Sequence, residues 1–167
     1  LVCGPVNLKT HHPAIRRVDV ESAAQMYEVT SREFANSDVA VLSAAVADFT
    51  PKEKADHKIK RGKDDLVLEL LPTKDIAAEL GKMKNASQLL VGFALETNDE
   101  EVNALSKMQR KNLDMIVLNS LNDKGAGFGV DTNKVTIMDK AGNRTVYELK
   151  TKLEVAKDIV DQIASRL

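Results

Sequence analysis

Three short apolar runs constrain this chain more than any other feature: residues 39–45 (Val-Ala-Val-Leu-Ser-Ala-Ala), 89–94 (Leu-Leu-Val-Gly-Phe-Ala) and 115–119 (Met-Ile-Val-Leu-Asn). A strand wetted on one face alternates apolar and polar residues. Runs without alternation are typical of strands buried on both faces, which is the condition of parallel sheets covered by helices. The stretches between them supply such helices. Ala23, Met26, Tyr27, Thr30 and Phe34 recur at helical spacing within residues 22–35, residues 75–83 form a shorter helix, and Thr97 with Glu100 reads as a capping box opening a helix to about Lys111. Strands alternating with helices imply βαβ crossovers, so the fold class is α/β with a mostly parallel sheet.

The remaining elements are shorter. Leu1-Val2-Cys3-Gly4-Pro5 reads as the end of a buried strand stopped by Gly-Pro, and residues 15–20 and 66–71 as further strands. Residues 134–138 and 144–149 form a C-terminal antiparallel hairpin around Lys140-Ala141-Gly142-Asn143. Thr151 and Glu154 make a second capping box. The helix after it is expected to bury Leu153, Ala156, Ile159, Val160, Ile163 and Leu167. One domain accounts for all 167 residues.

Composition excludes several classes of function. With 24 basic and 25 acidic residues nothing marks a nucleic-acid surface. No apolar run approaches the ~20 residues that span a bilayer, and no signal peptide opens the chain, so no membrane partner and a cytoplasmic location are expected. The single cysteine, Cys3, excludes an internal disulfide and a cysteine zinc cage, and reads as a core or strand-end residue rather than a nucleophile.

Ligands of open parallel sheets bind beyond the carboxyl ends of the strands. Three such ends combine small residues with polar groups: 44–49 (Ala-Ala-Val-Ala-Asp-Phe), 92–97 (Gly-Phe-Ala-Leu-Glu-Thr) and Asn119-Ser120. Asp48 directly follows an apolar strand, where its carboxylate can bind a hydroxyl pair or help hold a metal–triphosphate, or simply cap a turn. Lys58-Ile59-Lys60-Arg61 lies in a polar loop of more than a dozen residues. It suits a phosphate lid and equally a solvated charged surface. Lys107 and Lys111, four apart near a helix end, suit phosphate or merely complement the helix dipole. The Gly125/Gly127/Gly129 loop lacks the lysine and hydroxyl of a P-loop, and His11-His12 has no zinc partner.

Four segments resemble the phosphopantothenate–cysteine ligase (phosphopantothenoylcysteine synthetase) domain of the bacterial bifunctional coenzyme A biosynthesis proteins, a family also called pantothenate-metabolism flavoproteins. They are residues 4–8 (Gly-Pro-Val-Asn-Leu), 44–49 with Lys58-Ile59-Lys60, 91–97, and 110–114 with Asn119; Phe128, Asp131 and Asn133 echo a later family pattern. The resemblance implies a Rossmann-like three-layer fold, a homodimer, and CTP with Mg2+ as nucleotide and metal. It also implies 4′-phosphopantothenate and cysteine as substrates joined through an acyl-cytidylate. Carried onto this chain, Ala45 and Phe93 frame the cytosine, with Ala44 and Phe49 lining the same nucleotide site. Asp48 faces the nucleotide and its metal, Lys58 acts on the triphosphate and the acyl intermediate, and Lys107 and Lys111 bind phosphate.

Two departures stand out. The family's Asn-Pro-Asp-Ile segment appears as Thr73-Lys74-Asp75-Ile76. The family's first strand, its Gly-Gly-Thr turn and its Ser-Ser-Gly phosphate segment would precede Leu1, so the domain is expected to lack them here. FMN belongs to a fused decarboxylase domain and is not assigned to this chain. Two alternatives stay open on the residues alone: a Rossmann-like oxidoreductase using NAD(P) or flavin, and a non-catalytic nucleotide-binding domain.

Overall fold

The computed structural model describes residues 1–61, 65–96, 98–120 and 129–167. Two compact units emerge: residues 1–32 with 44–76, and residues 33–43 with 77–167.

The second unit holds the main sheet. Strands β3 (Val39–Leu42), β6 (Leu89–Glu96) and β7 (Met115–Ser120) run parallel, and after the short β8 (Thr132–Asn133) strands β9 (Val135–Asp139) and β10 (Arg144–Val146) continue the sheet antiparallel, in the order β10-β9-β7-β6-β3. Leu42 pairs with Gly92 and Glu96 with Ser120, so the carboxyl ends of the three parallel strands share one edge. Helix α3 (Glu100–Arg110) packs on β6 and β7. Helix α4 (Lys152–Ala164) brings Val155, Ile159 and Ile163 onto Val91, Met115, Val117, Val135 and Ile137, forming a buried core. As expected, Thr151 and Glu154 cap α4 reciprocally: Thr151 Oγ1 accepts from Glu154 N (3.3 Å), and the Glu154 carboxylate accepts from Thr151 N (2.9 Å).

Between α2 (Ile76–Met83) and the C-terminal end of α3 the backbones nearly touch. A Cβ on Gly81 would lie 2.0 Å from the Lys111 carbonyl oxygen, and Asn112 Nδ2 donates to the Gly81 carbonyl (2.7 Å). Only a residue without a side chain fits this crossing.

In the first unit, β1 (Val2–Cys3) pairs parallel with β2 (Val18–Asp19). Helix α1 (Ala23–Phe34) opens on a Ser-x-x-Gln box. Ser22 Oγ accepts from Gln25 N (3.2 Å), and Gln25 Oε1 accepts from the N–H groups of Glu21 (2.8 Å) and Ser22 (3.1 Å). Strands β4 (Phe49–Pro51) and β5 (Leu70–Pro72) form an antiparallel pair, tied by a Lys52–Glu69 ion pair at 2.8 Å.

Several expectations need correction. The first apolar run is strand only as far as Leu42 and occupies the sheet edge, with Val41 45 % exposed, because β6 is its one strand partner among the described residues. Leu1 is exposed and Val2 and Cys3 are half-buried, so the opening strand is less enclosed than its apolar residues suggest. Residues 66–69 are not strand; β5 begins at Leu70. The α3 N-cap is Asp99, in the left-handed region (φ 44°) with no side-chain cap bond, while Thr97 lies outside the described residues. In α4, Leu153 and Val160 are 69 and 60 % exposed and Ala156 is exposed too, while Leu167, 74 % exposed, lies beyond the end of the helix. The buried face carries Val155 in their place. The helix has two apolar stripes, and helical periodicity alone does not say which one meets the sheet.

Candidate functional site

In the first unit the residues that follow β3 make a tight turn: Val46 N donates to the Ala44 carbonyl (3.2 Å), and Ala44, Ala45, Asp48 and Phe49 are all exposed. The backbone of residues 47–48 is clamped from the residue that follows β5. Thr73 Oγ1 donates to the Ala47 carbonyl at 2.7 Å, and Thr73 N donates to the Asp48 carbonyl at 2.8 Å. Phe49 then opens β4 opposite Pro72. The Asp48 carboxylate itself takes no hydrogen bond among the described residues, so it is not spent on capping this turn. Lys58 is exposed on the loop after β4, together with Ile59, Lys60 and Arg61.

In the second unit Phe93 sits on β6 and packs against the core that α4 covers, half-buried. Asn119, near the end of β7, accepts a hydrogen bond from the buried Asn133 Nδ2 (3.0 Å). Lys107 and Lys111 are one turn apart at the end of α3, where Lys111 N donates to the Lys107 carbonyl (3.0 Å), and both are half-buried. The structure thus brings together two sets, Ala44, Ala45, Asp48 and Phe49 in one unit, and Lys107 with Lys111 in the other. Gly125 and Gly127 of the glycine loop, and Phe128, lie outside the described residues.

A cleft of about 190 Å³ in the second unit is bordered by Leu118, Thr136 and the Glu101–Arg144 ion pair (2.6 Å). It is smaller than the ~300 Å³ at which ligand pockets begin, and no sequence-predicted site residue lines it. Thr73 is the residue that reading the sequence left aside; its hydroxyl, one residue beyond a strand and just before a helix, was the available signal.

The strongest electrostatics lie away from these candidates. Asp114, just before β7, accepts from Leu90 N (2.7 Å), from Lys84 and from Lys140 (3.1 Å). Burial opposes its ionisation, but these donors outweigh it and hold the carboxyl below the ordinary carboxylate range. Asp139 is likewise lowered: burial again opposes, and Asn143 and Arg166 (2.6 Å) prevail. Both groups fasten the hairpin and the strand starts, which is structural work.

Among the described residues no cluster of three or more His, Cys, Asp or Glu side chains could hold a metal ion. A lone exposed Asp48 still fits Mg2+, because that ion is commonly bound through one or two carboxylates plus the substrate's own phosphates rather than by a protein cage. Nor is any helix of the described residues long and apolar enough to cross a membrane.

The model of the DNA/pantothenate metabolism flavoprotein C-terminal domain family matches residues 1–167. The chain belongs to that family. Among relatives of this flavoprotein domain, a cysteine/cysteine sulfinic acid decarboxylase from an unknown prokaryotic organism is 60% identical over 163 residues, 98% of this chain and 45% of that protein. The coenzyme A biosynthesis bifunctional protein CoaBC of Bacillus subtilis is 45% identical over 165 residues, 99% of this chain and 40% of that protein. The domain therefore spans less than half the length of these curated relatives. The crystal structure of the C-terminal domain of a coenzyme A biosynthesis bifunctional protein CoaBC superposes with a TM-score of 0.79 at 38% identity, covering 97% of this chain and 70% of that one. The α/β fold with its mainly parallel sheet is thus the fold of that C-terminal domain, as the resemblance implied.

Proposed function

We propose that this domain carries the ligase step of coenzyme A biosynthesis, joining cysteine to 4′-phosphopantothenate at the expense of CTP. The observation that carries this reading is the match, over nearly the whole chain, to the C-terminal domain of CoaBC. In the reaction, the phosphopantothenate carboxylate attacks the α-phosphorus of CTP and pyrophosphate leaves. The cysteine amine then attacks the acyl carbon, CMP leaves, and the amine surrenders a proton. Cytidylation turns an inert carboxylate into an acyl donor, and the protein's task is to position reactants and neutralise phosphate charge.

On this reading Ala44, Ala45, Phe49 and Phe93 line the nucleotide, and Lys107 and Lys111 hold phosphate. Lys58, on an exposed loop, closes over the charge that develops at the reacting phosphate. Asp48 would hold Mg2+, which when bound screens the triphosphate.

The homodimer belongs to the same proposal. Two-stranded hairpins are marginal alone, yet β4 and β5 leave Phe49, Leu70 and Leu71 exposed, with Ile59, Leu66 and Val67 exposed on the connection between them. A second copy covering this surface would account for it. The cytoplasm, which supplies CTP and reduced cysteine, is the proposed location.

The name of the 60% identical relative supports a second reading, decarboxylation of cysteine or its sulfinate, although the chain spans only 45% of that protein. One assay on the full-length protein separates the readings. CMP release from CTP and Mg2+ that requires phosphopantothenate and rises with cysteine is the expected result, with ATP as the comparison nucleotide. No nucleotide cleavage, with CO2 released from cysteine or cysteine sulfinate instead, would replace the ligase reading by the decarboxylase one.

A further inference from the structure

The base of the segment carrying Asp48 is held by Thr73. Residues 44–48 lie outside regular structure, and a strand-end carboxylate on a loose loop would sample many positions. Here the two carbonyls at its base, those of Ala47 and Asp48, are both engaged by Thr73. Thr73 is itself fixed on both sides. Pro72 before it is paired with Phe49, and the Lys74 ammonium after it rests 4.3 Å from the centre of the Tyr27 ring. The N–H donor would survive any substitution except proline. The hydroxyl donor to Ala47 belongs to the side chain alone.

Resting on the proposed role of Asp48, we infer that Thr73 is a positioning residue: its hydroxyl fixes the Ala47–Asp48 peptide and so presents the Asp48 carboxylate to the metal–nucleotide. A carboxylate that must meet a metal held largely by substrate phosphates gains from being pre-set, because that ion tolerates little angular error. The hydroxyl donates the bond that ties the loop to the end of β5.

The test is equilibrium binding of CTP to the full-length protein as free Mg2+ is varied, with a metal-free arm in chelator. Thr73→Val keeps shape and backbone N–H but loses the hydroxyl. It should raise the Mg2+ needed for half-maximal binding about three- to tenfold, the worth of one hydrogen bond, and leave metal-free binding unchanged. Thr73→Ser should restore the wild-type midpoint. In an Asp48→Asn background the same substitution should shift nothing further, since Thr73 acts through Asp48. Thr73→Ala serves as a second hydroxyl-free variant if the valine protein folds poorly. An unchanged Mg2+ midpoint, equal shifts with and without Mg2+, or full additivity with Asp48→Asn would overturn the positioning role while leaving Asp48 in place. A silent Asp48→Asn would overturn the reading of Asp48, and this inference with it.

Discussion

The two units spend their apolar residues differently. In the second unit, Leu90, Val91, Met115, Ile116 and Val117 of neighbouring parallel strands are nearly sealed from water. In the first, Phe49, Leu66, Val67, Leu70 and Leu71 are all exposed, and described order rests on pairwise bonds such as Thr73–Ala47 and Lys52–Glu69. One unit is stabilised by burial, which is non-directional and cumulative. In the other, Val20 and Ile76 are buried, but residues 44–52 and 69–73 are shaped by a few directional contacts around Asp48. Core substitutions in the second unit should therefore damage stability, and substitutions around Asp48 and Lys58 in the first should damage turnover.

The largest effect should come from Gly81→Ala. Its Cβ would collide with the Lys111 carbonyl, a backbone atom that cannot swing aside, so a loss of about 3 kcal/mol or more is expected in denaturant unfolding. Gly4→Ala in the first unit is the matched control. Its Cβ would meet Met26 Cε at 3.7 Å, an ordinary contact, and the midpoint should move far less. Equal losses at the two glycines would erase the contrast between the units.

Next is Lys58→Gln. The side chain is exposed, so the melting temperature should hold, while CMP release should fall about 100-fold or more, as when one charge-stabilising donor is removed from a transition state. Normal turnover would remove Lys58 from the chemistry.

Acid should act on the second unit. Asp114 and Asp139 have lowered pKa values in the folded protein, so each contributes stability that is complete above the unfolded value of about 3.9 and is lost as pH falls through the lower folded value. Asp114→Asn should cost on the order of 1–2 kcal/mol at pH 7, where the charge-assisted bonds to Lys84 and Lys140 are lost. It should also flatten the acid limb of stability against pH. An unchanged limb, measured by urea unfolding between pH 2 and 6, would show that the Lys84–Asp114–Lys140 cluster is not what acid breaks.

Much of this division was legible in the sequence, and the reasons differ by element. The runs at 89–94 and 115–119 announced buried parallel strands because lack of alternation is a direct consequence of burial on two faces. The run at 39–45 carried the same signal yet became an edge, because apolar content reports what a strand could bury and not which neighbours it has. The capping box at Thr151 was exact since its two bonds are local. Among the site candidates, sequence named Asp48 and Lys58 but not Thr73, whose partners Ala47 and Asp48 lie some 25 residues away in the chain and become neighbours only when β4 pairs with β5.

The smallest predicted effect addresses the one element whose orientation the sequence left open. Helix α4 carries two apolar stripes: Val155, Ile159 and Ile163 inside, Leu153, Ala156 and Val160 outside. Replacing an exposed apolar residue by a polar one removes no buried area, so Leu153→Gln should change stability by no more than about 0.5 kcal/mol. Ile159→Ala, on the buried stripe, should cost about 2 kcal/mol or more by emptying core volume. Thermal or urea unfolding of the pair measures which stripe faces the sheet. If Leu153→Gln proved the costlier of the two, α4 would be rotated about its axis and the core of the second unit would be differently composed.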